Sequence, residues 1–113
     1  MSYLAKLKNV QVVVFTETHI SLEVEMKKYN HRLDKIGWKI ACYALARQSL
    51  KTTITSANQG GVLILVRRHI SVHHIIGMKM RGFGWTSVVL NLRHSKLWIG
   101  GCYLAHKRSA MRP

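Results

Sequence analysis

The chain is expected to fold as an α+β protein, and three features of its sequence lead there. Leu22, Met26, Tyr29, Leu33 and Ile36 recur at helical spacing, and no other stretch repeats that period as clearly. Short apolar runs rich in β-branched residues stand on either side of it, such as Val12-Val13-Val14-Phe15 and Val62-Leu63-Ile64-Leu65-Val66. The second half carries further strand patterns joined by a tight turn. One strand, one helix and then mostly antiparallel strands make an α+β sheet protein with much of its sheet in the second half.

Taken in order, residues 4–8 form the last turn of a helix, with Leu4 and Leu7 on one face. Residues 12–16 form a strand whose continuous apolar run predicts burial on both faces. Ser21 is the expected cap of the main helix. Glu23 and Glu25 lie in its first turn, where the helix dipole favours acids, and Lys35 and Gly37 end it. Residues 38–45 are apolar with strand formers, although Ala41 and Ala44 weaken the pattern. Residues 47–59 are polar and rich in Ser and Thr, and read as a loop. Gly60-Gly61 opens the strand at 62–66, and Arg67-Arg68 closes it. Residues 71–80 form another strand, and Gly82 and Gly84 mark a turn or bulge around Phe83. Residues 85–93 and 97–104 are strands joined by a hairpin at His94-Ser95-Lys96.

The chain of 113 residues is most simply one domain, and 48% hydrophobic content with one proline argues against disorder. Eighteen Lys and Arg against four Asp and Glu give a formal net charge of +14. That charge points to an anionic partner, and nucleic acid has the densest negative charge. The apolar runs are too short to span a bilayer, so no membrane partner is expected. No charged-then-apolar leader opens the chain, so an intracellular location is expected, nuclear or cytoplasmic, and not secretion. Cys42 and Cys102 stand alone, and two buried thiols are the simpler reading over a single disulfide.

Candidate chemistry centres on Phe15-Thr16-Glu17-Thr18-His19, where an apolar strand ends in a carboxylate, a hydroxyl and an imidazole. With so few acids in so basic a chain, Glu17 is the outstanding candidate ligand. His69, His73 and His74 form the densest histidine group. No carboxylate or cysteine accompanies them, so zinc is not expected there. A Ser-His-Asp set and a phosphate-cradling Gly loop are both missing, and no small-molecule cofactor is expected. Trp38, Trp85 and Trp98 lie in strand patterns, and core packing is expected of each rather than base stacking. Arg67, Arg68, Lys107 and Arg108 end strands or lie beyond them, and could meet phosphates without reading sequence.

These landmarks resemble the endonuclease/exonuclease/phosphatase superfamily, particularly the apurinic-type endonuclease domains of retrotransposons. The family's strand ending in Gln-Glu-Thr, often followed by His, is matched by Thr16-Glu17-Thr18-His19, with Thr16 in place of glutamine. Its Gly-Gly strand ending in a basic residue is matched from Gly60-Gly61 to Arg67. Its Tyr-x-Pro element is matched at Tyr103-Leu104-Ala105, with Ala105 in place of proline. The family's Asn-x-x-Gly, Asp-x-Asn and Ser-Asp-His elements have no counterpart among these residues.

The resemblance implies a partial endonuclease/exonuclease/phosphatase-type β-sandwich flanked by helices, of retroelement origin. It implies Mg²⁺ or Mn²⁺ held through Glu17, because hard cations take carboxylate oxygens and assist phosphodiester cleavage. It makes Tyr103 the catalytic tyrosine near the scissile phosphate, although a tyrosine packed at the end of a core strand is an equal alternative. Nucleic acid is the implied substrate, DNA ahead of RNA, and the chain is expected to be inactive alone. The competing reading is a small basic domain that binds nucleic acid by charge without catalysis.

Overall fold

Five consecutive aliphatic residues can all be buried only in a strand covered on both faces, and the strand β3 (Val62–Arg67) is covered in that way. The computed structural model describes residues 2–46, 60–80 and 83–104. The loop expected at 47–59 and the turn residue Gly82 lie outside them, as do Lys107 and Arg108.

Within the described residues, β3 is the centre of a three-stranded antiparallel sheet. It is flanked by β1 (Val12–Thr16) and β2 (Trp38–Ala44). A second three-stranded antiparallel sheet runs in sequence order from β4 (Ser71–Met80) through β5 (Phe83–Asn91) to β6 (Lys96–Leu104). The α+β class expected from the sequence holds, with antiparallel strands in two sheets and few helices.

Alternate residues of β3 serve different layers. Val62, Ile64 and Val66 face the second sheet and join Cys42, Ala44, Val88, Leu90 and Tyr103 in one core. Leu63 and Leu65 face the helices and pack with Leu4, Ile20, Met26, Leu33 and Trp38. The helices are α1 (Ser2–Lys6) and α2 (Glu23–Asp34). Gly101 lets the sheets approach, since a Cβ there would lie 2.6 Å from Val62 Cγ1.

Several details differ from the sequence expectation. β1 is an edge strand with alternating half-buried and exposed residues, not a strand buried on both faces. Among the described residues the apolar run there has one neighbouring strand and partial cover. Leu22, not Ser21, is the capping residue of α2. Its backbone is extended and its carbonyl accepts the Glu25 and Met26 N–H groups, and its own side chain offers no polar cap. Gly84 lies inside β5 opposite Tyr103 instead of in a turn, because it leaves room for that ring. The hairpin turn forms where expected, closed by the Leu92 N–H donating to the Ser95 carbonyl at 2.8 Å. No described helix is long and apolar enough to cross a membrane.

Candidate functional site

At one end of the two sheets, three sequence landmarks meet. β1 and β3 run antiparallel with Thr16 opposite Val62, so the residues after Thr16 must meet the residues before Val62. The Thr18 N–H donates to the Gly61 carbonyl at 3.4 Å, and the His19 N–H to the Gly60 carbonyl at 2.9 Å. The chain turns sharply to achieve this. Glu17 and His19 adopt left-handed backbones, with φ of 56° and 61°. Each costs roughly 1–2 kcal/mol for a residue with a side chain. That strain falls on the two residues the sequence singles out, and the bonds to Gly60 and Gly61 hold it in place.

The glycine pair meets two demands together. Both residues have positive φ, 81° for Gly60 and 99° for Gly61. Neither has room for a side chain. A Cβ on Gly60 would lie 2.0 Å from Tyr103 Cδ2, and one on Gly61 would lie 2.2 Å from Thr18 Oγ1. The Tyr103 ring is flanked by Gly60 and by Gly84, whose Cβ would lie 2.4 Å from Tyr103 Cε1. The Tyr103 hydroxyl donates to the Leu45 carbonyl at 2.9 Å, and the residue is 4% exposed. Tyr103 thus ties β6, the Gly60 turn and the end of β2 together.

Glu17 faces solvent. Its carboxylate lies 3.2 Å from His19 Nε2, and both side chains are more than half exposed. As a hard oxygen donor on a fixed strand end, Glu17 fits one coordination position of Mg²⁺ or Mn²⁺, with water and phosphate oxygens filling the others. Among the described residues, no three His, Cys, Asp or Glu side chains gather into a metal-binding group.

Arg67 and Arg68 stand at the opposite end of β3, about 20 Å along the strand from the Gly60 turn. Arg67 donates to the Val10 carbonyl at 2.9 Å and the Leu7 carbonyl at 2.7 Å, and its guanidinium lies 4.1 Å from the centre of the Trp38 ring. It fastens the segment between α1 and β1 over the helix-side core. Arg68 is exposed and pairs with Asp34 at 3.1 Å. Glu17 and Tyr103 therefore share one end of the molecule through the glycine turn, while Arg67 and Arg68 share the other.

The tryptophans divide in a way the sequence reading misses. Trp38 is fully buried and Trp85 half-buried, but Trp98 is 68% exposed on the outer face of β6. The expectation of core packing is corrected for Trp98. Both faces of β6 carry apolar residues, so alternation could not reveal which face was covered. Similarly, Cys42 is buried and Cys102 exposed, and both are unpaired thiols.

No protein-family model, curated protein or solved structure matches this chain.

Proposed function

We propose that this chain is the front part of a metal-dependent phosphodiesterase domain of the endonuclease/exonuclease/phosphatase type, retroelement-derived, acting on nucleic acid within the cell. One observation carries the reading. The Glu17-Thr18-His19 strand end, the Gly60-Gly61 turn and Tyr103 are far apart in sequence yet touch in one place. A chance likeness of three short motifs would not require them to meet. Two packed sheets with helices on the outer side of the first agree with the sandwich that such a domain uses.

In this reading Glu17 supplies a carboxylate oxygen to Mg²⁺ or Mn²⁺, and the cation would offset phosphate charge when bound. The strained backbone at Glu17 and His19 fixes the direction of that carboxylate. Tyr103, buried with its hydroxyl donated to the Leu45 carbonyl, keeps the glycine turn in place. Among the described residues His19 stands beside Glu17, and no third His, Cys, Asp or Glu joins them, so the water-activating base and the leaving-group acid are not both provided. Each such group commonly contributes about 10²–10⁴-fold in rate, so this stretch alone is expected to be inactive.

The test is Mn²⁺ binding followed by electron paramagnetic resonance, with an abasic-DNA cleavage assay on the same samples. Weak binding that Glu17→Gln removes, without cleavage, supports the reading. Binding indifferent to Glu17→Gln would overturn the metal role. A second reading then takes over, a basic domain holding nucleic acid by charge. It is favoured by one fact: residues 35–113 contain thirteen Lys and Arg and not one Asp or Glu.

A further inference from the structure

From Trp98 onward β6 alternates about the sheet plane. Ile99, Gly101 and Tyr103 turn towards the first sheet, while Lys96, Trp98, Gly100, Cys102 and Leu104 turn outward and are exposed. On β5, Val89 and Trp85 share that outer face, opposite Trp98 and Cys102. A Cβ on Gly100 would lie 3.2 Å from Ser87 Cβ, so the floor between the two indoles is built of small residues. The result is a shallow apolar surface with a broadly exposed indole.

The charge around this surface has one sign. Lys96 is next to Trp98 on the same face, and its Nζ reaches across β5 to lie 3.4 Å from His73 Nε2. Both side chains are exposed, and Arg93 and His94 stand in the adjoining exposed turn. No carboxylate side chain occurs anywhere from residue 35 onward, so none opposes them. Lys96 Nζ donates to His73 Nε2, which leaves the other ammonium N–H groups and the His73 Nδ1 side for an oxyanion, and a flat exposed ring beside them suits an aromatic base. A second copy of this chain would bring +14 against +14 and complements the surface poorly.

We propose that the outer face of the second sheet binds a single-stranded polynucleotide, with one base stacked on Trp98 and its phosphate met by Lys96 and His73. The proposal rests on nucleic acid being the partner, but it is independent of metal and of Glu17. Stacking on an indole is tolerant of sequence, and the basic groups add a salt-dependent attraction.

The test is fluorescence anisotropy with labelled oligothymidylate, oligouridylate and a DNA duplex at low salt, in parallel with analytical ultracentrifugation. The expected result is that single strands bind, and that Trp98→Ala weakens them about 5- to 150-fold. Trp98→Phe should retain most of the affinity, and Lys96→Ala with His73→Ala should lower the salt dependence. Should the alanine variant misfold, the Lys96/His73 pair of substitutions carries the test on its own. Undiminished binding in both variants would overturn this surface while leaving nucleic acid as partner. Failure of the unaltered protein to bind strands or duplex would overturn the partner itself. A dimer that Trp98→Ala dissolves, with binding unchanged, would assign the face to a second copy instead.

Discussion

The two sheets are both three-stranded and antiparallel, and they end in different states. In the first, β3 buries all five of its aliphatic side chains. In the second, β6 buries only Tyr103 and presents Trp98 and Leu104 to solvent. The strands of the first sheet are the more apolar, 15 of their 18 residues against 16 of 28 in the second, and they are also the better covered. The first sheet has α1 and α2 packed on its outer side, with Met26 and Leu33 filling the gap over Leu63 and Leu65. Among the described residues no corresponding layer lies over the second. An apolar strand pattern therefore predicts a strand, but a covered second face depends on what folds against it. An uncovered apolar face is worth reading as an interaction surface.

The sharpest way to break this comparison is to truncate the tryptophan on each outer face. Trp38 is wholly buried beneath α2 and carries the Arg67 guanidinium on its ring. Trp38→Ala is expected to cost about 3–5 kcal/mol in urea unfolding, through lost burial and the cavity left behind. Trp98→Ala is expected to remain within about 0.5 kcal/mol of the parent, as for an exposed site without packing partners. Equal losses at the two positions would mean that the second sheet is covered in solution.

A smaller effect sharpens the comparison within a single strand. Gly100 and Gly101 are neighbours in β6 and point to opposite sides. A Cβ on Gly101 would press to 2.6 Å on Val62 Cγ1 between the sheets. Gly101→Ala should cost about 1–3 kcal/mol, because the packed sheets must part to admit it. A Cβ on Gly100 meets Ser87 Cβ at 3.2 Å on the open face, where a few tenths of an ångström can be found. Gly100→Ala should change stability little, since the strain is offset by lower entropy in the unfolded chain. The same urea curves decide it, and a large loss at Gly100 would show that the outer face is tightly packed.

Much of the fold was legible in the residues, for reasons that also mark its limits. The strand at Val12–Thr16 and the hairpin at His94-Ser95-Lys96 are set by local patterning, and they lie where the pattern puts them. The periodicity of α2 found its helix, but its start shifted by one residue, because Leu22 holds the extended backbone and its carbonyl accepts the Glu25 and Met26 N–H groups. The β1 run looked like a central strand because order within a sheet is set by partners distant in sequence. For the candidate site, the glycine pair was readable as a turn. Its second role, leaving space for the Tyr103 ring, was not, since that contact spans more than forty residues of chain. Trp98 was missed because both faces of its strand are apolar. The signal available was electrostatic: all four acids precede residue 35.

The thiols give the mildest probe, one that leaves stability untouched. Cys42 lies in the core between the sheets, and burial raises its pKa above the ordinary thiol value, partly opposed by a hydrogen bond with Thr86. Less thiolate forms there at any given pH, and reagents cannot reach it. Cys102 is exposed on the outer face of β6, opposite Trp85. Titration of the native protein with Ellman's reagent should therefore release one equivalent quickly, and the second only after denaturation. Cys102→Ser should abolish the fast phase, and Cys42→Ser should leave it intact. Two fast thiols would mean that the sheets separate readily, and none would mean that the outer face of the second sheet is occupied. The difference between the two cysteines is a matter of which side of one sheet each faces, and so it reports the covering layer directly.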